Sequence, residues 1–138
     1  WWRMKAVGEA ANEITDAAWA KDGRSIFVIA NMGVHSQLFE VPVAGGAPSP
    51  LTTGNHAIGG WTYVPAHGRH VFTRDDPANA GDVFTTTTGA VAQVSHVFDR
   101  YAKDFRLPRQ EKVEWKGADG VTVEGLLFYP LDYQAGQR

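Results

Sequence analysis

The stretch WAKDGRSIFVIA, residues 19–30, carries the pattern that decides the fold. The Asp-Gly pair at 22–23 is typical of a tight turn, because glycine adopts backbone angles that other residues avoid. The apolar and β-branched residues at 25–30 favour a strand after the turn. A second strand is predicted before it, at 14–19. The stretch therefore predicts two antiparallel strands joined by a short turn.

Two further strands complete this first unit. Residues 37–43 alternate Leu, Glu and Pro against Phe, Val and Val, which is the period of a half-buried strand. Gly45-Gly46 predicts a turn, and Pro50 to Thr53 predicts a fourth strand. We therefore expect an antiparallel meander of four strands within about 40 residues.

The same features recur in the same order further along the chain. Matched features lie 42 to 45 residues apart, and they are Trp19 with Trp61, Asp22-Gly23 with His67-Gly68, QLFEV (37–41) with DVFTT (82–86), Gly45 with Gly89, and Leu51-Thr52 with Val94-Ser95. A four-stranded unit that repeats at about 40 to 50 residues is typical of a β-propeller blade. The alternative is two unrelated meanders that are alike by chance.

The chain is thus predicted to be all-β, with two antiparallel blades at about 13–54 and 58–96 and a linker to residue 107. A propeller ring needs roughly four to eight blades. We therefore expect 1–107 to be an incomplete propeller, either a piece of a longer polypeptide or a unit that self-associates through its open blade edges. Residues 1–12 have the pattern of the tail of an earlier unit.

The repeat ends after Ser95. The side chains of Val97, Tyr101 and Phe105 are spaced i, i+4 and i+8, which predicts one short helical turn or a packed linker. Leu107-Pro108 should end that segment, because the residue before a proline is pushed out of helical geometry.

The last part of the chain predicts a β-hairpin. Strands at 112–116 and 121–129 flank the turn Gly117-Ala118-Asp119-Gly120, and Asp-Gly between alternating apolar residues is a strong hairpin signal. We place a domain boundary near 107–109, so that 108–138 form a second, truncated unit.

Composition argues against several classes of function. Lysine and arginine number 13 against 15 acidic residues, for a net charge of −2, which gives no basis for binding nucleic acid or an anionic membrane surface. The chain has no cysteine, so disulfides and thiolate metal sites are excluded. Its apolar runs are too short to span a bilayer. The sequence shows no signal peptide and opens on Trp1, so cytoplasmic and periplasmic or secreted locations both stay open.

Candidate catalytic residues are few. Ser95, His96 and Asp99 are the residue types of a catalytic triad, but a triad needs a nucleophile on a strained turn and partners from elsewhere in the fold. Neighbours at a strand end point apart. The sequence has neither a G-x-S-x-G motif nor a glycine-rich phosphate loop. We therefore predict no catalytic residue, no cofactor-binding residue and no cofactor in this chain.

Metal-binding and aromatic candidates also have structural explanations. His67 and His70 read as turn and strand residues that face opposite sides, which does not suit a zinc site. The acidic stretch DDPANAGD at 75–82 lacks the spacing of a calcium loop and favours a hairpin turn. Trp19 and Trp61 are predicted to pack between the blades. No metal site is predicted.

The segment EKVEWKGADGVTVEGLLFYPLDYQAGQR, 111–138, resembles the junction between two domains in the prolyl oligopeptidase family of serine peptidases. It is most similar to the dipeptidyl-peptidase and acylaminoacyl-peptidase-like branch. In that family, a propeller is followed by a strand, an Asp-Gly turn, a strand that ends in an aromatic residue and proline, and a G-x-[KR] loop. The motif W-x-x-D-G-R-x-I at 19–26 and the stretch at 75–87 are similar to the family's propeller.

The resemblance implies a function for the chain as a part of such a peptidase. Residues 1–107 would be the last portion of a propeller that restricts the access of peptide substrates, and 108–138 would begin an α/β-hydrolase domain. The family's catalytic Ser, Asp and His would lie beyond Arg138, so this chain alone should be inactive. The alternative is a TolB-like, non-enzymatic interaction propeller of WD40-like repeats. Such a module should continue into another blade after residue 107.

Overall fold

The computed structural model describes residues 13–87 and 89–136, so the predicted tail of an earlier unit at 1–12 lies outside the described residues. The elements in chain order are β1 (Glu13–Trp19), β2 (Ser25–Met32), β3 (His35–Pro42), β4 (Ser49–Pro50), β5 (Ala57–Val64), β6 (Arg69–Asp76), β7 (Asn79–Thr86), β8 (Ala92–Gln93), α1 (Tyr101–Asp104), β9 (Gln110–Lys116) and β10 (Thr122–Phe128).

These strands form three antiparallel sheets. Sheet one has the order β1-β2-β3-β4, sheet two has the order β5-β6-β7-β8, and β9 pairs with β10 in a final hairpin. Each strand lies beside the next one in the chain, which is the simplest antiparallel connection. The predicted fold class, two four-stranded blades followed by a hairpin, is confirmed.

The strand register shows how closely the two sheets repeat. In both sheets, one residue of the third strand pairs with a residue of the second strand on one side and with a residue of the fourth strand on the other. The equivalent positions are Val28 with Phe72, Phe39 with Phe84, and Pro50 with Gln93. The two sheets therefore share strand order and corresponding register; sheet two differs by a register shift between Arg74 and Asp75 and by a shorter connection between its third and fourth strands.

The register also corrects the predicted match of Trp19 with Trp61. Trp61 pairs with Phe72 in the position that Ala17 takes opposite Val28, so the two tryptophans are two residues out of step. Trp61 packs on the core of sheet one, as expected. Trp19 ends β1 with 60% of its surface exposed, so the expectation that it packs between the blades is wrong.

The fourth strand of sheet one is shorter than predicted. A strand was expected at 50–53, but strand pairing stops at residue 50. Beyond that residue, the hydroxyl of Thr52 takes over a hydrogen bond that strand pairing would have made. Thr52 Oγ1 accepts a hydrogen bond from Leu38 N at 2.9 Å and donates one to Gln37 Oε1 at 2.8 Å. Gln37 Nε2 in turn donates to the Gly54 carbonyl at 2.7 Å. The side chain of Thr52 thus ends the ladder of backbone hydrogen bonds between β3 and β4.

Sheet two repeats this arrangement with different chemistry. Ser95 Oγ accepts from Val83 N at 2.8 Å and donates to Asp82 Oδ1 at 2.5 Å. Asp82, which is 1% exposed, also accepts from the N–H groups of Val97 and Phe98. Desolvation raises the pKa of Asp82, but the hydrogen bonds from Ser95 and the other donors outweigh it and hold the pKa below its ordinary value.

These two sets of hydrogen bonds are called the clamps below. The sheet-one clamp consists of Gln37, Thr52 and Gly54, and the sheet-two clamp consists of Asp82, Ser95 and Val97. Each clamp fixes the chain where it leaves a sheet.

A shared apolar core joins the two sheets. It is formed by side chains of β2, β3 and β5, namely Phe27, Ile29, Leu38, Ile58, Trp61 and Tyr63. The opposite face of sheet one carries a second cluster around Val28, Ala30 and Phe39. Leu38 and Phe39 are therefore both buried, at 0% and 8% exposure. The expectation of a half-buried third strand is wrong, because apolar residues occupy both faces of β3 there.

His70 lies at the centre of the contact between the sheets. Its ring meets Phe27 of sheet one edge-on at 4.4 Å and stacks on Tyr63 at 4.9 Å and on Trp61 at 6.0 Å, all between centroids. The residue is 1% exposed, and neither ring nitrogen has a hydrogen-bond partner among the described residues. Burial lowers the pKa of His70 to about 4, so the ring is neutral at pH 7.

A second link between the sheets is made by Ser36 of β3. Its N–H donates to the His56 carbonyl at 3.1 Å, and its hydroxyl accepts from Ile58 N at 2.6 Å. Ser36 is 3% exposed, so these bonds are shielded from water. The start of β5 is therefore attached to the edge of β3.

The free edges of both sheets carry features that disfavour further pairing. The register of β1 shifts between Ile14 and Asp16, and that of β5 shifts at the equivalent place, between Ile58 and Trp61. Such bulges twist an edge strand, and β4 at the other edge has two residues, one of them Pro50. Self-association through these edges stays a prediction.

The linker after sheet two contains the short helical turn that the spacing predicted. Helix α1 spans Tyr101–Asp104, and the Tyr101 ring contacts those of Phe98 and Phe105 at 5.3 and 5.5 Å. The helix ends before the predicted Leu107-Pro108, because Phe105 is already extended, with φ −130°. Within the described residues, no helix has the length and apolar character needed to cross a membrane.

The final hairpin is confirmed with slightly different bounds. Its turn is closed by Gly120 N donating to the Gly117 carbonyl at 2.9 Å, and Asp119 Oδ1 accepts from Val121 N at 3.0 Å. Gly120 has φ +80°, a value that glycine adopts without strain. The Asp-Gly pair therefore forms this turn through two features: the carboxylate of Asp119 accepts a backbone hydrogen bond, and Gly120 adopts a positive φ.

Replacing Ser95 with alanine should destabilise the chain by about 1–3 kcal/mol, since Val83 N and Asp82 each lose a partner. Urea unfolding followed by circular dichroism measures this. The matched control is Ser49→Ala on exposed β4, which should change the unfolding free energy by less than about 0.5 kcal/mol. Equal stability of the two variants would show that the sheet-two clamp contributes nothing.

Protonation of His70 should make stability depend on pH. The folded pKa of about 4 lies below the ordinary 6.5. The contribution of neutral His70 to the free energy of unfolding is therefore full above pH 6.5 and is lost as the pH drops towards 4. It amounts to about 3 kcal/mol. Urea titrations across this window should give a flatter profile for His70→Phe than for the parent chain. The exposed His67→Asn serves as control and should keep the parental slope; a parental slope in His70→Phe would refute the assignment.

Candidate functional site

The triad-like residues Ser95, His96 and Asp99 are engaged separately in the structure. The hydroxyl proton of Ser95 goes to Asp82, as part of the sheet-two clamp. His96 Nδ1 lies 2.8 Å from Asp99 Oδ2 in an exposed hydrogen-bonded pair. A nucleophilic serine must give its proton to a base that a third group orients. Here His96 is paired with Asp99, but Ser95 donates its hydrogen bond to Asp82 and not to His96.

The histidines and acidic residues considered for metal binding are also dispersed. His67 lies in the exposed turn between β5 and β6, whereas His70 is buried between the sheets. Asp76 pairs with Arg74 at 3.0 Å and accepts from Ala78 N across the following turn. Among the described residues, no three His, Cys, Asp or Glu side chains are grouped closely enough to hold a metal ion. The absence of a metal site in the whole chain stays a prediction.

The most site-like feature is a cleft of about 300 Å³ where the two sheets face the final hairpin. It is called the junction cleft below. Sheet one contributes the β2–β3 turn, the connection between the sheets contributes 55–57, and sheet two contributes the β6–β7 turn at 75–77. The hairpin closes it with 110–112 and with Leu126 and Phe128. Its volume is at the lower end of the range for small-molecule and peptide-side-chain pockets.

The walls of the junction cleft carry mixed charge. Asp75, Asp76 and Glu111 supply carboxylates, and Lys112 supplies an ammonium group. His56 lies at the base, 6% exposed, with Nε2 unpaired among the described residues. Burial, followed by the charge of Arg74, lowers the pKa of His56, so the imidazole is held neutral. The cleft is polar at the rim and neutral at its base.

The lining of the junction cleft combines apolar side chains with polar and charged groups. The residues that line the cleft, as far as the structure describes them, include no serine, threonine or cysteine that could attack a substrate. They offer apolar contacts from Leu126 and Phe128 and hydrogen-bonding groups at the rim.

Sequence reasoning missed the junction cleft. Its walls come from five segments that are spread along the chain between Val34 and Phe128. The one local signal was the acidic pair Asp75-Asp76, which was assigned to a turn. That assignment is correct, but the turn also forms part of a wall.

No known protein family matches this sequence, and no curated protein matches it. Solved structures do match. The chain is similar to the AtxE2 isopeptidase in a variant with astexin3-dC4 bound, with a TM-score of 0.74 and 19% identity over 95% of this chain. It is also similar to the acylaminoacyl peptidase of Pyrococcus horikoshii, with a TM-score of 0.70 and 14% identity over 92% of this chain.

The chain spans about a fifth of the length of these solved structures, 20% of the first and 19% of the second. At these identities the likeness shows the fold. That fold is one found in peptidases, and the matched part includes both sheets and the hairpin, since almost the whole chain is covered.

Ser95 and His96 are hydrogen-bonded to different partners, Asp82 and Asp99. We therefore predict that the chain alone does not react as a serine hydrolase. Incubation with a fluorophosphonate probe, read by intact mass, should leave Ser25, Ser36, Ser49 and Ser95 unlabelled. Ser95→Ala and an active serine peptidase provide the negative and positive controls. Stoichiometric labelling that disappears in Ser95→Ala would contradict the assignment of this hydroxyl to the sheet-two clamp.

Proposed function

We propose that this chain is the access-controlling part of a serine peptidase of the prolyl oligopeptidase type. The observation that carries the proposal is the single superposition that includes both sheets and the hairpin on two peptidases of different kinds. A chance likeness between blades would not extend through the linker into the hairpin. The junction sequence 111–138 supports the same assignment independently of the coordinates.

In this proposal the chain has two parts with different roles. Residues 1–107 supply blades of a propeller, and 108–138 supply the first strands of an α/β-hydrolase domain. The linker between them contains α1 and the extended segment from Phe105. The catalytic Ser, Asp and His belong to the hydrolase domain, which fits the separate engagement of Ser95 and His96 here.

The role of the blades is to control which substrates enter. Two rigid sheets with a shared core make a wall, and the junction cleft is an opening between that wall and the hydrolase side. An opening of about 300 Å³ admits an extended peptide segment and excludes a folded protein. Specificity then arises from access, and the chemistry is carried out beyond the opening.

The rival assignment, a TolB-like interaction propeller, fits the last segment less well. A third blade should repeat the spacing of the first two, but from His67-Gly68 to Asp119-Gly120 is 52 residues, outside the 42 to 45 residues between matched features of the blades. The two-stranded sheet leaves apolar side chains such as Trp115 and Phe128 about half exposed. Such a hairpin is marginal by itself and favours a larger domain packed around it.

The proposal is tested first by reading the coding DNA downstream of Arg138. We expect an apolar strand, an H-G-G-type loop and a G-x-S-x-G motif. A stop codon, or a further W-x-x-D-G blade, would refute the peptidase assignment.

Given that coding sequence, the full-length protein should hydrolyse short peptides and spare the same sequence inside a folded protein. The control is the variant with alanine at the G-x-S-x-G serine, which should lose both activities. Equal cleavage of the short peptide and the folded protein would refute control of access by the blades.

A further inference from the structure

The final hairpin touches the two large sheets at very few points. Val34 N in the β2–β3 turn donates to Glu124 Oε2 in β10 at 3.3 Å. Among the residues that the structure describes, this is the one hydrogen bond between the hairpin and either four-stranded sheet. Val34 also lines the junction cleft, so this bond lies at the rim of the opening.

The β2–β3 turn is shaped to receive the Glu124 carboxylate. Gly33 has φ +70°, which other residues reach only with strain. A Cβ atom at this position would also overlap the Glu124 carboxylate. The backbone angle thus favours glycine at 33, and a Cβ atom there would push the flexible end of the Glu124 side chain away from the turn.

On the hairpin side, Lys112 holds the carboxylate in place. Lys112 Nζ lies 3.1 Å from Glu124 Oε1 and 2.6 Å from Glu114 Oε1. Its hydrogen bond, followed by that from Val34 N, lowers the pKa of Glu124, while Glu114 and then Glu124 raise the pKa of Lys112. Both groups are therefore charged at neutral pH, and one carboxylate oxygen stays directed at the turn.

The hairpin has a segment about which it can turn. Residues 105–109 form neither helix nor strand and connect the hairpin to α1. Within the hairpin, by contrast, β9 and β10 pair without interruption from 110–116 to 122–128. A rigid hairpin, a linker without regular structure and one polar attachment together describe a hinged element.

We propose that Glu124 is a latch that holds the hairpin against the β2–β3 turn, so that its release widens the junction cleft for an entering peptide. The peptide as occupant rests on the proposed function. In the latched state, Lys112, Leu126 and Phe128 face Val34 across the cleft. Release of a single charge-assisted hydrogen bond moves this wall as one body about residues 105–109. Glu124 is thus a positioning residue that acts on access.

The latch can be tested on the chain by measuring distances between two spin labels. The chain has no cysteine, so Ala66→Cys in the β5–β6 turn and Ala118→Cys in the hairpin turn give two unique, exposed attachment points. The parent should show one narrow distance distribution. Glu124→Ala should add a second component, with the closed-to-open ratio falling about tenfold, as expected for loss of a hydrogen bond to a charged group.

Two variants separate the latch from general charge effects. Glu114→Ala removes a carboxylate from the same lysine without touching Val34, and it should keep the parental distribution. Gly33→Ala displaces Glu124 from the turn without changing any charge, and it should reproduce the effect of Glu124→Ala. Parental distributions in both Glu124→Ala and Gly33→Ala, or equal broadening in Glu114→Ala, would overturn the latch.

This test does not depend on catalysis. If the downstream DNA lacks the hydrolase motifs, the peptidase proposal fails while the distances still report on the latch. If the distances do not change, the latch fails while the peptidase proposal stands. In the full-length peptidase, Glu124→Ala should raise kcat/KM more for longer peptides than for the shortest one, and Glu114→Ala should not.

Discussion

The contact between the two four-stranded sheets is the interaction on which the rest of the structure depends. Phe27 and its neighbours pack against Trp61 and Tyr63, and Ser36 binds the start of β5 through two shielded hydrogen bonds. This contact fixes the β2–β3 turn relative to the β6–β7 turn, and both turns line the junction cleft. Without it, neither a cleft nor a fixed receptor for Glu124 would exist.

Much of the fold could be predicted from local signals, because antiparallel strands and their turns are set by nearby residues. The Asp-Gly turns at 22–23 and 119–120 fix two hairpins through backbone geometry that the sequence states directly. The match of Trp19 with Trp61 was wrong, because the tryptophan recurs two positions out of step with the strand pairing, in which Trp61 takes the place of Ala17. The fourth strand at 50–53 was overestimated, because a hydroxyl makes the bond that a backbone was expected to make.

The candidate site could not be predicted in the same way, because it is a property of three-dimensional assembly. Glu124 and Val34 are 90 residues apart, and nothing around either one marks it as a partner of the other. Gly33 looked like an ordinary turn residue, and its second role, leaving room for a carboxylate, exists only once the hairpin is in place. The polar side chains of Ser95, Asp82 and Asp76, by contrast, are already engaged in the sheet-two clamp and in the β6–β7 turn.

The two clamps have the same geometry, but only the second responds to acid. In sheet one the clamp is an amide and a hydroxyl, Gln37 and Thr52, and no proton can be added to either in ordinary solutions. In sheet two the same place is held by the carboxylate of Asp82, whose contribution is full above the ordinary carboxyl pKa and is lost as the pH falls through its lowered value. Acid therefore weakens the clamp of the second repeat and leaves that of the first unchanged, although the two clamps are alike in shape.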